Sequence, residues 1–121
     1  MKYKGRLRDP LVDRLFDAVL MLETPDECYR FFDDLCTVGE IKAMALRLEV
    51  AKMLDAGKTY EDIAAETGMS TATISRIRRF LSYGSDGYRL VIDRLSGGGS
   101  RRARAGAQAP PARTGKPPAD A

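Results

Sequence analysis

Across residues 1–96, apolar side chains recur every three or four positions, and no useful length of strand-type alternation interrupts them. Leu11, Leu15, Ala18, Val19 and Leu22 mark a first helix opened by Asp9-Pro10, a capping carboxylate before a proline at the first helical position. The pattern carries this helix through Leu22 or Glu23. Thr24-Pro25-Asp26-Glu27 combines a cap, a first-turn proline and a capping-box glutamate, and predicts a second helix with Tyr29, Phe31, Phe32 and Leu35, ending near Cys36. Thr37-Val38-Gly39-Glu40 repeats the cap, and a third helix is expected from about Glu40 to Ala56, stopped by Gly57. Ile41, Met44, Ala45, Leu46, Leu48, Val50, Ala51, Met53 and Leu54 occupy much of its circumference. So wide an apolar surface predicts burial on more than one side, partly against a second subunit, and Tyr29, Phe31 and Phe32 point the same way. A last helix, with Tyr88, Val91, Ile92 and Leu95, follows the turn Ser82-Tyr83-Gly84-Ser85-Asp86-Gly87. The expected class is all-α with about six helices.

Between the third helix and the last lies the most informative segment, Thr59 to Phe80. Thr59 is placed to cap a short helix, with Asp62 three residues on able to reach back. Ile63 is large and Ala64 small, as required where a second helix crosses close by. Gly68 stands where the chain leaves this helix, a place where a left-handed residue costs glycine little. Ser70 or Thr71 can cap the next helix, on which Ile74 and Ile77 fall three apart. Ile63, Met69, Ile74 and Ile77 then close one small core. This is the layout of a helix-turn-helix, whose second helix enters the DNA major groove. Ser70, Thr71, Ala72, Thr73, Ser75, Arg76 and Arg79 are the candidate DNA-binding residues: small or hydroxylated at the helix start, then arginines suited to guanine or phosphate. The plainer alternative is an αα-hairpin whose arginines are merely solvated.

Charge changes the picture once it is divided. Residues 1–96 hold fifteen Lys and Arg against sixteen Asp and Glu, net −1, whereas residues 97–121 hold five against one, net +4. That Gly-, Ala-, Pro- and Arg-rich tail has no large aliphatic or aromatic side chain, so it is expected to be disordered, either adding sequence-independent phosphate attraction or serving only as a solubilising or vestigial extension. The folded part is expected to be a single domain, residues 1–96. Its positive charge gathers at Lys2, Lys4, Arg6 and Arg8 and again at Arg76, Arg78 and Arg79, while acidic residues crowd between Asp9 and Glu40.

Candidate chemistry narrows the function classes further. Cys28 and Cys36 are the only cysteines and there is no histidine, so no metal site is expected; both thiols are expected to be buried and reduced, in a cytoplasmic protein. With no histidine, Gly-rich phosphate loop or nucleophile beside a base, neither enzymatic activity nor a cofactor is expected. The N-terminus is charged and no run of about 18 apolar residues occurs, which argues against a signal peptide or membrane span.

The order of helices resembles the tryptophan repressor superfamily, and within it the YerC/YecD branch of Trp-repressor-related bacterial proteins. The resemblance is carried by Leu35-Cys-Thr-Val-Gly-Glu-Ile-Lys-Ala-Met-Ala-Leu-Arg47, by Lys58-Thr-Tyr-Glu-Asp-Ile-Ala-Ala, and by Gly68-Met-Ser-Thr-Ala-Thr-Ile-Ser-Arg-Ile-Arg-Arg-Phe80. It covers about Lys2 to Leu95. What it implies is a homodimeric transcriptional regulator, expected to be a repressor, whose N-terminal helices interlock with those of a second chain on double-stranded DNA. By the same resemblance, Arg76 maps to an arginine of the tryptophan pocket, and Arg47 is a second candidate there. The glycine and serine expected nearby are Ile77 and Phe80 here, large enough to occupy the space of an indole, so tryptophan binding is not expected. The competing reading keeps the fold but makes the chain a protein-interaction module in a regulatory complex, without direct sequence-specific DNA binding.

Overall fold

A computed structural model describes residues 3–97, and all regular elements among them are helices. They are α1 (Pro10–Val19), α2 (Pro25–Leu35), α3 (Val38–Asp55), α4 (Tyr60–Thr67), α5 (Thr71–Tyr83) and α6 (Gly87–Ser96). The expected tail lies outside the described residues, apart from Gly97.

Local signals set most of the boundaries. Asp9 Oδ1 accepts from the N–H of Leu11 at 2.7 Å and of Val12 at 3.3 Å, with Pro10 at the first helical position. α1 ends at Val19, earlier than its apolar pattern suggests. The N–H groups of Met21 and Leu22 bond back to the carbonyls of Ala18 and Val19 at 3.0 and 3.1 Å, tightening the exit. The chain must then present Thr24 in extended conformation (φ −136°, ψ 159°), because a residue before proline avoids the helical region. Thr37 and Glu40 make a complete capping box: Glu40 N–H donates to Thr37 Oγ1 at 3.1 Å, and Thr37 N–H donates to Glu40 Oε1 at 2.8 Å. At the other end of α3, Lys58 N–H bonds to Met53 O at 3.1 Å and Gly57 N–H to Leu54 O at 3.0 Å. This is a Schellman closure, with Gly57 at φ +92° in the left-handed position.

The chain divides into two compact units, with the division between Ala45 and Leu46. In the second unit, Val50, Ala51 and Leu54 of α3 join Ile63 of α4, Ile74, Ile77 and Leu81 of α5, and Ile92 of α6 in one buried cluster. Leu46, Leu48, Met53, Tyr60, Ala64, Met69 and Tyr88 pack around it. In the first unit, neither α1 nor α2 buries a residue. Leu11 (69% exposed), Leu20 (76%), Met21 (73%) and Tyr29 (75%) stand open to solvent, while Phe31 and Phe32 meet edge to face with ring centroids 5.3 Å apart. The expectation of two buried thiols is corrected here: Cys28 is exposed and Cys36 half-buried. Cys28 belongs to α2, a helix with no buried position, so a helical pattern alone misjudged its surroundings.

Candidate nucleic-acid interface

The site is built on α4, the turn after it, and α5. Thr59 Oγ1 accepts from Asp62 N–H at 3.1 Å and opens α4; the described hydrogen bonds include no reciprocal bond from the Asp62 carboxylate. α4 closes with Gly68 N–H on Ala64 O at 2.8 Å, and Gly68 adopts φ +77°. A Cβ there would meet no atom within 4 Å, so the left-handed backbone, not lack of space, is what requires glycine. Thr67 stitches the turn: its hydroxyl donates to Ile63 O at 2.7 Å and accepts from Met69 N–H at 3.1 Å. No motif reading singled out Thr67, because its role depends on two backbone groups that only the turn brings within reach.

Ser70 is the cap of α5. Its Oγ accepts from Thr73 N–H at 3.2 Å and donates to Thr73 Oγ1 at 3.0 Å. Two candidate DNA-binding hydroxyls are thus engaged with each other at the helix start, and Thr73 is half-buried. Ile74, Ile77 and Leu81 point into the core. Met69 is only partly buried, packing against that core from its edge.

With about 100° of rotation per residue, the exposed positions of α5 fall into rows. Thr71, Ser75, Arg78 and Ser82 form one, Ala72 and Arg79 the middle, and Arg76, Phe80 and Tyr83 the other flank. Thr71, Ala72, Ser75, Arg76 and Arg79 are therefore together on the solvent side. Phe80 does not hold the motif's core together as Ile77 does: it is 45% exposed, against 3% for Ile77. The reason is rotational, since Phe80 stands about 60° from Ile77, on the side facing away from Leu81.

Charge on this surface is one-sided. The first turn of α5 has no acidic residue, and among the described residues Arg76, Arg78 and Arg79 form no ion pair. Of the carboxylates on α4, Glu66 is held by Lys58 Nζ at 2.6 Å, while Glu61 and Asp62 are exposed. Beside the C-terminal half of α5 is an open cleft of ≈ 630 Å³, lined by Leu54 and Asp55 of α3, Arg78, Leu81 and Ser82 of α5, and Arg89 of α6. Arg89 Nη2 donates to Asp55 Oδ1 at 2.7 Å and Nη1 to Asp93 Oδ1 at 3.3 Å. The hydrogen bond from Arg89 holds the Asp55 carboxyl below the usual carboxylate range, outweighing the opposing effect of desolvation, with lesser help from the charges of Arg89 and Arg78. No group of three or more metal-ligating side chains occurs among the described residues. No helix among them is long and apolar enough to cross a membrane.

Two capped helices meeting at a left-handed glycine, over a shared isoleucine core and with unpaired arginines on the second, define a helix-turn-helix protein. Residues 11–96 match the family described as Trp repressor protein. The chain is 56% identical over 90 residues to the uncharacterized protein YerC of Bacillus subtilis (strain 168), an alignment covering 74% of this chain and 86% of that one. A TrpR-like protein from Eubacterium eligens ATCC 27750 superposes with a TM-score of 0.71 at 53% identity, covering 74% of this chain and 93% of that one. A candidate Trp repressor from Staphylococcus aureus gives 0.70 at 54% identity, with coverage of 74% and 90%. The chain belongs to the Trp repressor family.

Proposed function

We propose that this protein is a sequence-specific DNA-binding transcriptional regulator, a repressor acting as a homodimer, that lays α5 in the major groove. The observation that carries the reading is the solvent face of α5: Thr71, Ala72, Ser75, Arg76 and Arg79 together, backed by a buried isoleucine core and free of carboxylates. Ser70 and Thr73 shape the helix start, where the helix dipole and free N–H groups favour a phosphate. Arg76 is assigned base reading and Arg79 phosphate clamping. Two copies of α5 in a dimer would address successive major grooves about 34 Å apart.

Self-association is supported by the first unit, whose amphipathic α1 and α2 bury nothing within one chain. A second copy supplies the apolar partner that so small a chain lacks. Tryptophan is not assigned as corepressor: Ile77, beside Arg76, fills the volume that the family's glycine would leave, and millimolar tryptophan should leave the melting temperature unchanged.

The deciding experiment is a mobility-shift assay on genomic and random-sequence duplexes at two salt concentrations. A retarded complex that prefers a subset of genomic fragments is the expected result, with Arg79→Ala weakening binding to all sequences alike. No complex even at low salt would remove the reading and leave the helical interaction module in its place.

A further inference from the structure

Asp55, at the end of α3, lines the same cleft as Arg78 of α5 and is close enough to feel that arginine's charge. Left alone, that carboxylate would be the natural partner of Arg78. It is instead taken by Arg89, which spans from α6 to Asp55 at 2.7 Å and is itself anchored to Asp93 at 3.3 Å. Arg78 forms no ion pair among the described residues, although two carboxylates, Asp55 and Asp86, line its cleft. It also stands in line with Thr71 and Ser75, seven and three positions earlier, and with Ser82 four later, all exposed.

We infer that Arg78 is a further DNA-contacting residue, reaching a backbone phosphate at the edge of the α5 face, and that Arg89 keeps it available by occupying Asp55. The inference rests on the DNA-binding reading above and extends it to two residues outside the candidate DNA-binding set. Arg78 touches the phosphate, with the Ser82 hydroxyl beside it as a second donor. Arg89 is a positioning residue and does not touch DNA. Its planar guanidinium serves two carboxylates at once, a geometry that a lysine cannot reproduce. Removing it frees Asp55 to pair with Arg78, so one phosphate contact is lost at a distance.

The test is the salt dependence of binding to a fluorescently labelled, mixed-sequence DNA duplex, measured with the full chain by anisotropy. Each phosphate contact adds about 0.9 to the slope of log affinity against log salt. Arg78→Gln should lower that slope by roughly one contact, and Arg89→Gln by a similar amount. Asp55→Asn alone should leave the slope at the wild-type value, and Asp55→Asn added to Arg89→Gln should restore it. A structural loss in the Arg89 variant would not be repaired by removing Asp55, so the double variant separates positioning from misfolding. An unchanged slope in Arg78→Gln overturns the contact, and failure of Asp55→Asn to rescue overturns the role of Arg89. If the wild-type chain shows no salt-dependent binding at all, the DNA-binding reading falls and this contact falls with it.

Discussion

The two units of this chain are made from the same local devices and come to opposite states. α1 and α2 are capped by Asp9 and Thr24, start at prolines and carry regular apolar stripes, yet none of their residues is buried. α4 and α5 are capped by Thr59 and Ser70 in the same manner, and their stripes meet in Ile63, Ile74 and Ile77, all nearly or fully removed from water. A cap and a stripe therefore specify a helix and the face it must cover, but not what covers it. In the second unit the cover is local, because a short turn at Gly68 folds one stripe onto the next. In the first unit Leu11, Leu20, Met21 and Tyr29 have no such cover among the described residues.

That contrast can be tested by equal insults to both sides. Ile63→Ala or Ile74→Ala should lower unfolding stability by about 2–5 kcal/mol, read from denaturant midpoints, because a fully buried side chain leaves a cavity behind. Leu20→Asp with Met21→Asp should leave the second unit's helical signal in place but abolish self-association in sedimentation velocity, since a dimer interface would have to bury two unpaired carboxylates. If that variant remained a dimer, the exposed stripe of the first unit would not be the interface.

Smaller effects concern the joints of the second unit. Gly68→Ala should cost on the order of 1 kcal/mol in thermal or chemical unfolding, because alanine must hold φ near +77° although the space around it is open. A neutral result would mean that the turn relaxes and that α4 and α5 do not depend on that conformation. The smallest effect is expected at Asp55. Its folded carboxyl is held below the ordinary value by the hydrogen bond from Arg89, so its contribution is present above about pH 4. That contribution is lost as pH falls through the depressed folded value. Asp55→Asn should therefore flatten the fall in stability as pH drops below about 4, while changing little near neutrality. An unaltered acid limb would show that the pair with Arg89 adds nothing measurable, as exposed pairs often do.

Much of this was legible in the residues because it is decided within a few positions. Asp9-Pro10, Thr24-Pro25 and the Thr37–Glu40 box set helix starts through bonds to backbone groups two to four residues away. Gly57 and Gly68 mark ends for the same reason, and Ile63, Ile74 and Ile77 were readable as a core from spacing alone. Other features were not. The early end of α1 depends on the chain's preparing Thr24 for the next helix, which competes with a still-apolar Leu20-Met21-Leu22. Cys28 and Phe80 carry apolar side chains on helices, but Cys28 sits on a helix with no buried position and Phe80 on the side of α5 turned away from its core.

By itself, then, the sequence determined the helices, their caps, the turn glycine and the isoleucine core of a helix-turn-helix, since each rests on short-range bonding or on a period of 3.6. Its family motifs, carried by the residues from Leu35 to Phe80, follow from the same local order. Only the tertiary structure decided which stripes are covered and how the charges divide. Asp55 and Arg89 stand 34 positions apart, and nothing in their local sequence says that α3 and α6 bring them to 2.7 Å. Arg78, without an ion pair among the described residues, shares a cleft with Asp55 and Arg89 for the same reason: that neighbourhood exists only once the helices have packed.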